Sequence, residues 1–104
     1  MRFGLNAREL EQIIIVFSSF PEVDKAILYG SRAKGNFKPT SDIDICLMGS
    51  KLTLVILTQI AWQLDDLLMP NTFDISILHH ITNIALIEHI ERVGQVIYEK
   101  QLSK

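Results

Sequence analysis

The 104-residue sequence predicts an α/β (α+β) fold in which helices flank one small mixed sheet. Three observations support this class of fold. Several segments carry apolar residues at helical spacing, short β-branched runs lie between them, and turn residues mark each change of pattern. The predicted order is helix, strand, short helix, strand, helix, strand, helix, strand. The length suits one domain, so we expect residues 1–104 to form a single domain.

The first helix is expected to begin at Asn6, because Asn6 can cap the chain and Glu9 lies three residues further on. Pro21 ends this helix a residue or two before itself. The first strand follows at about Lys25–Tyr29. On the first helix, the apolar stripe that should face the core consists of Leu10, Ile13, Ile14 and Phe17.

The segment that leaves this strand is rich in glycine and positive charge. Gly30 permits a sharp turn and close approach to a ligand, and Ser31 can open a short helical turn that Gly35 ends. A helix start presents free N–H groups, which bind anions. Arg32, Lys34 and Lys38 add three positive charges to a chain of net charge −2. The sequence therefore predicts an anionic ligand at this turn.

Two carboxylates follow at the start of a second strand, which we predict at Asp42–Met48. Strand side chains alternate between faces, so Asp42 and Asp44 point the same way, about 7 Å apart. Such a pair needs a cation between its members, and Mg²⁺ prefers carboxylate oxygen. Cys46 shares this face further along the strand and is expected to be a packed residue.

The second half of the chain reads as helix, strand, helix and edge strand. Ser50 or Thr53 can cap a helix that runs to about Leu68. This helix is apolar on more than one side. We expect Trp62 in the core, with contact to a partner as the alternative. The remaining elements are a strand at Thr72–Leu78, a helix at Asn83–Arg92 with Ile84, Ile87, Ile90 and Val93 inward, an edge strand at Gln95–Tyr98, and a frayed end at Glu99–Lys104.

The central motif resembles the signature of the DNA polymerase β-type nucleotidyltransferases. Gly30-Ser31, ten residues, and then Asp42-Ile43-Asp44 match that signature, and the short length is similar to the minimal nucleotidyltransferase (MNT) branch. The resemblance spans about residues 26–78, and more weakly 94–98. It implies a polymerase β-like fold and a third aspartate on a later strand, which Asp74 supplies. The implied catalytic and metal-binding residues are Asp42, Asp44 and Asp74, and the candidate nucleotide-binding residues are Gly30, Ser31, Arg32, Lys34 and Ser41.

The same resemblance implies a reaction and a partner. MNT proteins pair with HEPN-domain proteins, which are helical ribonuclease toxins encoded nearby. The implied function is Mg²⁺-dependent transfer of AMP from ATP, with two metal ions, to a tyrosine hydroxyl of that toxin, so that this chain acts as antitoxin. Two alternatives stay open. The chain could neutralise a partner by binding nucleotide and forming a complex, or it could transfer nucleotide to a small molecule or nucleic acid.

Composition narrows the class of protein further. A sequence pI near 5.8 argues against direct nucleic-acid binding by the whole surface. Hydrophobic residues make up 48% of the chain, which is explained equally by a well-filled core and by apolar surface left for a protein partner or homo-oligomer. One cysteine, no secretory segment and no apolar run of membrane-spanning length predict a cytoplasmic protein. The three histidines, His79, His80 and His89, lack ligands at zinc spacing and are expected on the surface.

Overall fold

A computed structural model of the protein describes residues 2–101 and shows helices on both faces of one sheet. The chain alternates between helices and strands in the order that the sequence predicts. A 3₁₀ turn at Leu78–His80 follows the third strand. The elements are α1 Ala7–Ser18, β1 Lys25–Tyr29, α2 Gly30–Lys34, β2 Ile43–Met48, α3 Leu54–Asp65, β3 Phe73–Ile77, α4 Ile84–Val93 and β4 Gln95–Glu99.

The four strands form a mixed sheet in the order β3-β2-β1-β4. Strand β1 pairs antiparallel with β2 and with β4, whereas β2 and β3 run parallel. The predicted small mixed sheet is therefore confirmed. The register aligns Tyr29 with Asp44 and Asp44 with Asp74. Since residues paired in register point to the same face, these three side chains form one row across the sheet.

One face of the sheet carries the main hydrophobic core. Helices α1 and α3 cover this face, as the shared cluster of buried side chains shows. The sequence reason is strand alternation, which sends every second apolar residue to this side. The largest contributions come from Phe17, Ile13, Leu28, Ile43, Ile45, Leu47, Ile60, Leu64 and Ile77, all of them at most 2% exposed.

The opposite face carries the predicted site residues and a smaller cluster. Helix α4 packs on β1 here and contributes Ile90, which is buried with Tyr29 and Cys46. Because the polar strand residues share this face, α4 covers only the part of the sheet that lies behind them. The main core stabilises the domain, and the second face holds the predicted site residues.

The helix and strand boundaries follow the predictions closely. Asn6 and Glu9 form the expected capping box, with the Glu9 N–H donating to Asn6 Oδ1 at 2.8 Å. Thr53, not Ser50, caps α3 by accepting a hydrogen bond from Ile56 N. Strand β2 begins one residue later than expected, at Ile43.

Two burial predictions and one helix end are wrong. Trp62 is 66% exposed and Ile84 is 71% exposed, although both are expected to face the core, and α3 does not run to Leu68, which is 89% exposed. Helix α3 packs against the sheet with one side only, so its wide apolar surface leaves Trp62 in solvent. The helix ends at Asp65, and Leu68 follows with a φ of 57° in the connecting turn. Ile84 occupies the first turn of α4, whereas the buried residue of this helix, Ile90, lies nearer its other end.

The expected edge strand β4 is confirmed, and it extends to Glu99. Residues 102–104 of the predicted frayed end lie outside the described residues. No helix formed by residues 2–101 is both long enough and apolar enough to cross a membrane.

Candidate active site

The glycine turn lies directly against a carboxylate. Gly30 has a φ of +75°, a left-handed conformation that other residues rarely adopt. A Cβ atom at this position would collide with Oδ2 of Asp44, so the carboxylate would have to move from its present position. Gly35 ends α2 at a φ of +89°, and its N–H donates to the Ser31 carbonyl at 2.9 Å. The turn therefore places Gly30 and Ser31 beside the acidic residues.

Three aspartates come together at the same edge of the sheet. Asp44 and Asp74 are direct neighbours on the parallel strands β2 and β3. Asp42 lies two residues before Asp44, where the chain enters β2. The side chains of Asp42 and Asp74 are exposed and that of Asp44 is half-buried. None of the three points into the main hydrophobic core.

These carboxylates influence one another electrostatically. Burial raises the pKa of Asp44, and the negative charges of Asp74 and Asp42 raise it further. The positive charge of Arg32 acts in the opposite direction. The negative charge of Asp44 is therefore disfavoured in the absence of a cation.

The donor set fits a hard divalent cation. Within residues 2–101, no three His, Cys, Asp or Glu side chains already stand in an arrangement that holds a metal ion. Mg²⁺ does not require such a cage, because it binds one or two protein carboxylates and completes its shell with water and phosphate oxygens. Asp42, Asp44 and Asp74 offer oxygen ligands, and a bound cation would offset the burial and the neighbouring negative charges that raise the pKa of Asp44.

A buried polar layer lies behind the carboxylates on the same face. Tyr29 is 8% exposed and precedes the glycine turn, and the ring of His89 meets its ring edge-on at 6.2 Å. Burial raises the pKa of Tyr29, the nearby Ser76 hydroxyl opposes this, and the charges of Asp74 and Asp44 add to the rise. Among the described residues, the buried hydroxyl oxygen of Ser76 has no hydrogen-bond partner.

Cys46 lies in the next row of this layer and is fully buried, as predicted. It is paired with Ile27 on one side and with Ser76 on the other. Burial raises the pKa of the Cys46 thiol to about 11. A thiol in this state is a packing residue and not a nucleophile.

Arg32 is buried, which the sequence did not reveal. Its side chain is 3% exposed, and its guanidinium donates hydrogen bonds to the backbone carbonyls of Phe3, Pro39 and Ser41. The guanidinium also lies over the ring of Phe37, 5.2 Å from the centroid. These partners hold the loop between α2 and β2 against the N-terminal turn.

The side chain of Ser41 is used within the same loop. Its hydroxyl oxygen accepts a hydrogen bond from Lys38 N at 2.8 Å, and its N–H donates to the Lys38 carbonyl at 2.9 Å. Asn71, from the turn before β3, donates to the carbonyls of Pro39 and Ser41 at 2.8 and 3.3 Å. The loop that leads to Asp42 is therefore fixed from two directions.

The structure thus brings together Gly30, Ser31 and the three aspartates. Lys34 is exposed on α2 and free to reach a ligand. Sequence reasoning missed Tyr29 and Asn71. Strand alternation separates Tyr29 from Leu28, but only the pairing with Asp44 shows that Tyr29 lies on the aspartate face. No local signal reveals the contact between Asn71 and a loop 30 residues away in sequence.

Comparison with solved structures shows the same fold in toxin–antitoxin proteins. A toxin–antitoxin structure with AMP-PNP shares 21% identity at a TM-score of 0.70, covering 93% of this chain and 76% of that chain. A Shewanella oneidensis MNT antitoxin, solved in complex with tri-AMPylated HEPN toxin, shares 20% identity at a TM-score of 0.67, covering 90% and 72%. A MntA toxin–antitoxin mutant with two aspartates replaced by glutamate shares 20% identity at a TM-score of 0.71, covering 93% and 75%.

Fold and site together define a nucleotidyltransferase. The sequence profile described as "Polymerase beta, Nucleotidyltransferase" matches residues 11–103, and the chain belongs to this family. The resemblance to polymerase β-type nucleotidyltransferases is thereby confirmed, and solved structures with its fold include MNT antitoxins. No curated protein sequence matches the chain.

The contact between Gly30 and Asp44 predicts a large difference between two glycine substitutions. Gly30→Ala should destabilise the protein by about 2 kcal/mol or more, since it combines a strained backbone with a collision. Gly35→Ala is the matched control, because it has a similar φ but no atom within 4 Å of the added methyl group. Urea unfolding measures both. Equal losses of stability would contradict the close contact.

The raised pKa of Asp44 predicts a pH-dependent stability. A carboxyl group whose pKa is raised by folding contributes stability below its ordinary pKa, and this is lost as pH rises through the raised value. In EDTA at pH 7, Asp44→Asn should therefore melt at a higher temperature than the native protein, and the difference should shrink on acidification. Calorimetry over this pH range checks the effect.

A control removes the same charge elsewhere. Glu11→Gln, on the exposed side of α1, should show the same change in melting temperature between pH 7 and acid as the native protein. Added Mg²⁺ should raise the melting temperature of the native protein more than that of Asp44→Asn. A lower melting temperature of Asp44→Asn in EDTA would show that the carboxylate is not repelled by its neighbours.

Proposed function

We propose that this chain transfers AMP from ATP to a tyrosine hydroxyl of a HEPN-domain protein, with Mg²⁺ as cofactor, and so acts as an antitoxin. The observation that carries the proposal is the position of three aspartates beside a glycine-serine turn. Asp44 pairs with Asp74 across parallel strands, and Gly30 touches Asp44. This arrangement supports binding of a nucleoside triphosphate next to divalent metal.

The nucleotide is expected to lie along the start of α2. Gly30 and Ser31 receive the β- and γ-phosphates, since the turn exposes backbone N–H groups and the Ser31 hydroxyl. Lys34 is exposed one helical turn further on and supplies a mobile positive charge. The short basic segment thereby offsets part of the charge of the triphosphate.

The carboxylates complete the reaction centre. Asp42 and Asp44 would hold Mg²⁺ against the α-phosphate, and Asp74 would share a second ion. Bound Mg²⁺ neutralises charge on the phosphates and favours in-line displacement. The acceptor oxygen forms a bond to the α-phosphorus while the bond to pyrophosphate breaks, and Asp74 takes up the proton of the hydroxyl. The residues act by position and charge.

An acceptor protein can approach along the free edge of the sheet, which borders both the aspartate face and α3. Strand β3, which carries Asp74, is an edge strand, and α3 packs beside it. The outer side of α3 exposes Leu54, Val55 and Trp62, each at least 65% exposed. No charged residue lies between Lys51 and Asp65 in the sequence. An aromatic, charge-free surface of this kind supports docking of a protein partner, for which the HEPN complexes of structural neighbours provide the candidate.

Substitution of the aspartates tests the chemistry. Asp42→Asn, Asp44→Asn and Asp74→Asn should each lower AMP transfer about 100-fold or more, because each removes a negative charge from the reaction centre. The assay combines ATP labelled on the α-phosphate, Mg²⁺ and the HEPN-domain protein encoded nearby. Mass spectrometry then locates AMP on the acceptor.

Asp65→Asn serves as the control, since Asp65 is exposed at the end of α3, away from the turn. Transfer that survives all three site substitutions would refute the assignment. A tight complex with no label on the toxin would instead support neutralisation by binding alone. Label on a small molecule or nucleic acid would move the acceptor to another class.

Substitution of Trp62 tests the docking surface. Trp62→Ala should weaken binding of the HEPN-domain protein roughly 30-fold, as expected for an interface tryptophan worth about 2 kcal/mol. Binding of ATP should be unchanged, because α3 lies on the opposite face of the sheet from the aspartates. Calorimetric titration measures both affinities.

Glu91→Ala is the control for a surface change on the other helical layer, because Glu91 is exposed on α4. Unchanged affinity for the toxin in Trp62→Ala would contradict docking on α3. Loss of self-association in that variant, with the toxin affinity intact, would assign the surface to a second copy of this chain.

A further inference from the structure

We propose that Arg32 and Asn71 form a clamp that positions Asp42 for its cation. Arg32 is then a positioning residue, and its role differs from the phosphate contact that the sequence predicts. The inference rests on the proposed function, since it concerns the same metal-binding aspartate. It is carried by hydrogen bonds that converge on two backbone carbonyls from two separate segments of the chain.

The guanidinium of Arg32 is committed to backbone carbonyls. Nη1 donates to Phe3 O at 2.8 Å. Nη2 donates to Ser41 O at 2.9 Å and to Pro39 O at 3.4 Å, and Nε donates to Ser41 O at 3.3 Å. A Cβ on Gly4 would lie 2.7 Å from Nη1, so the N-terminal turn closes over the group. A guanidinium used in this way is not available to a phosphate.

Asn71 approaches the same two carbonyls from the other side. Its Nδ2 atom donates to Pro39 O at 2.8 Å and to Ser41 O at 3.3 Å. Asn71 belongs to the turn between α3 and β3, so its contact ties the strand that carries Asp74 to the loop that carries Asp42. Two unrelated segments therefore hold one short stretch of backbone.

The clamp acts on Asp42 through the peptide plane. The carbonyl of Ser41 and the N–H of Asp42 belong to one planar peptide group, so holding the carbonyl orients the following residue. On the other side of Asp42, Ile43 N donates to Thr72 O at 2.9 Å. Asp42 is thus fixed on both flanks while its own side chain stays exposed. This is the arrangement expected of a ligand with a rigid backbone and a free carboxylate.

Burial of an arginine for this purpose has a physical reason. Within residues 2–101, the structure contains one ion pair, which joins Lys25 and Glu99. No carboxylate of these residues therefore lies within salt-bridge distance of Arg32. A guanidinium bound by neutral carbonyls keeps its positive charge near a cluster of acids. Its planar group also presents five N–H donors in a fixed arrangement, so it holds the three carbonyls in a defined geometry, whereas the donors of a lysine ammonium group rotate on a flexible stem.

The test compares Arg32→Lys, Arg32→Met and Asn71→Ala with the native protein. Two measurements do not depend on catalysis. Titration with Mn²⁺, followed by electron paramagnetic resonance without nucleotide, measures the affinity of the carboxylates for a cation. Hydrogen exchange of residues 37–43 measures how firmly the loop is held. Binding of ATP in EDTA is measured in parallel.

We expect Asn71→Ala and Arg32→Lys to weaken Mn²⁺ binding about 10-fold, the size typical of residues that orient metal ligands. Exchange of residues 37–43 should become faster in both variants. The double variant should lose less free energy of Mn²⁺ binding than the sum of the two single losses. Lys34→Met is the contrast, because it should weaken ATP binding and leave Mn²⁺ affinity and exchange unchanged. Asn71→Ala keeps the test valid if Arg32→Met does not fold.

Other outcomes overturn the clamp. Native-like exchange and Mn²⁺ affinity in both Asn71→Ala and Arg32→Lys would show that the hydrogen bonds do not position Asp42. Weaker ATP binding in Arg32→Lys alone, with Asn71→Ala unaffected, would assign Arg32 to the phosphates. Failure of the native protein to bind Mn²⁺ or ATP would instead refute the proposed function, and hydrogen exchange would still decide whether the clamp exists.

Discussion

Strand pairing that holds like charges together is the constraint on which this structure depends. Asp44 and Asp74 face each other because β2 and β3 are parallel and in register, and backbone hydrogen bonds enforce this proximity against repulsion. The apolar residues between the acids, Ile43, Ile45 and Ile75, pack on the opposite face and fix the register. The hydrophobic core thus supplies the free energy that keeps the carboxylates close.

The two faces of the sheet divide stability from chemistry. Helices α1 and α3 bury one face almost completely, whereas α4 covers the other only behind the acids, around Tyr29 and Cys46. Alternation along the strands makes this division possible, because successive residues of one strand point to opposite faces of the sheet. A chain of 104 residues can therefore carry a candidate active site on one face of the sheet and keep its core on the other.

The sequence was sufficient for most elements and for the shared face of Asp42 and Asp44, whereas Asp74 follows from the family resemblance and its pairing with Asp44 appears only in the fold. Capping residues, turn residues and alternation are local signals, so α1, α2 and the strands could be located within a residue or two. Burial was harder to predict. A helix such as α3 that is apolar on several sides does not reveal which side the fold covers, and Trp62 is exposed as a result. Two contacts depend on chain segments that meet only after folding: Arg32 donates to the carbonyl of Phe3, and Asn71 donates to the carbonyl of Pro39.

The burial of Cys46 has a consequence for how the protein tolerates oxidants. Peroxides, alkylating reagents and soft metals react with thiolate, and a thiol with a pKa of about 11 holds roughly one thiolate in ten thousand at pH 7. The sulfur lies one row behind Asp44 yet is sealed by Ile90 and its neighbours. Oxidative stress that disables exposed cysteines in other proteins should therefore leave the candidate active site of this chain chemically intact.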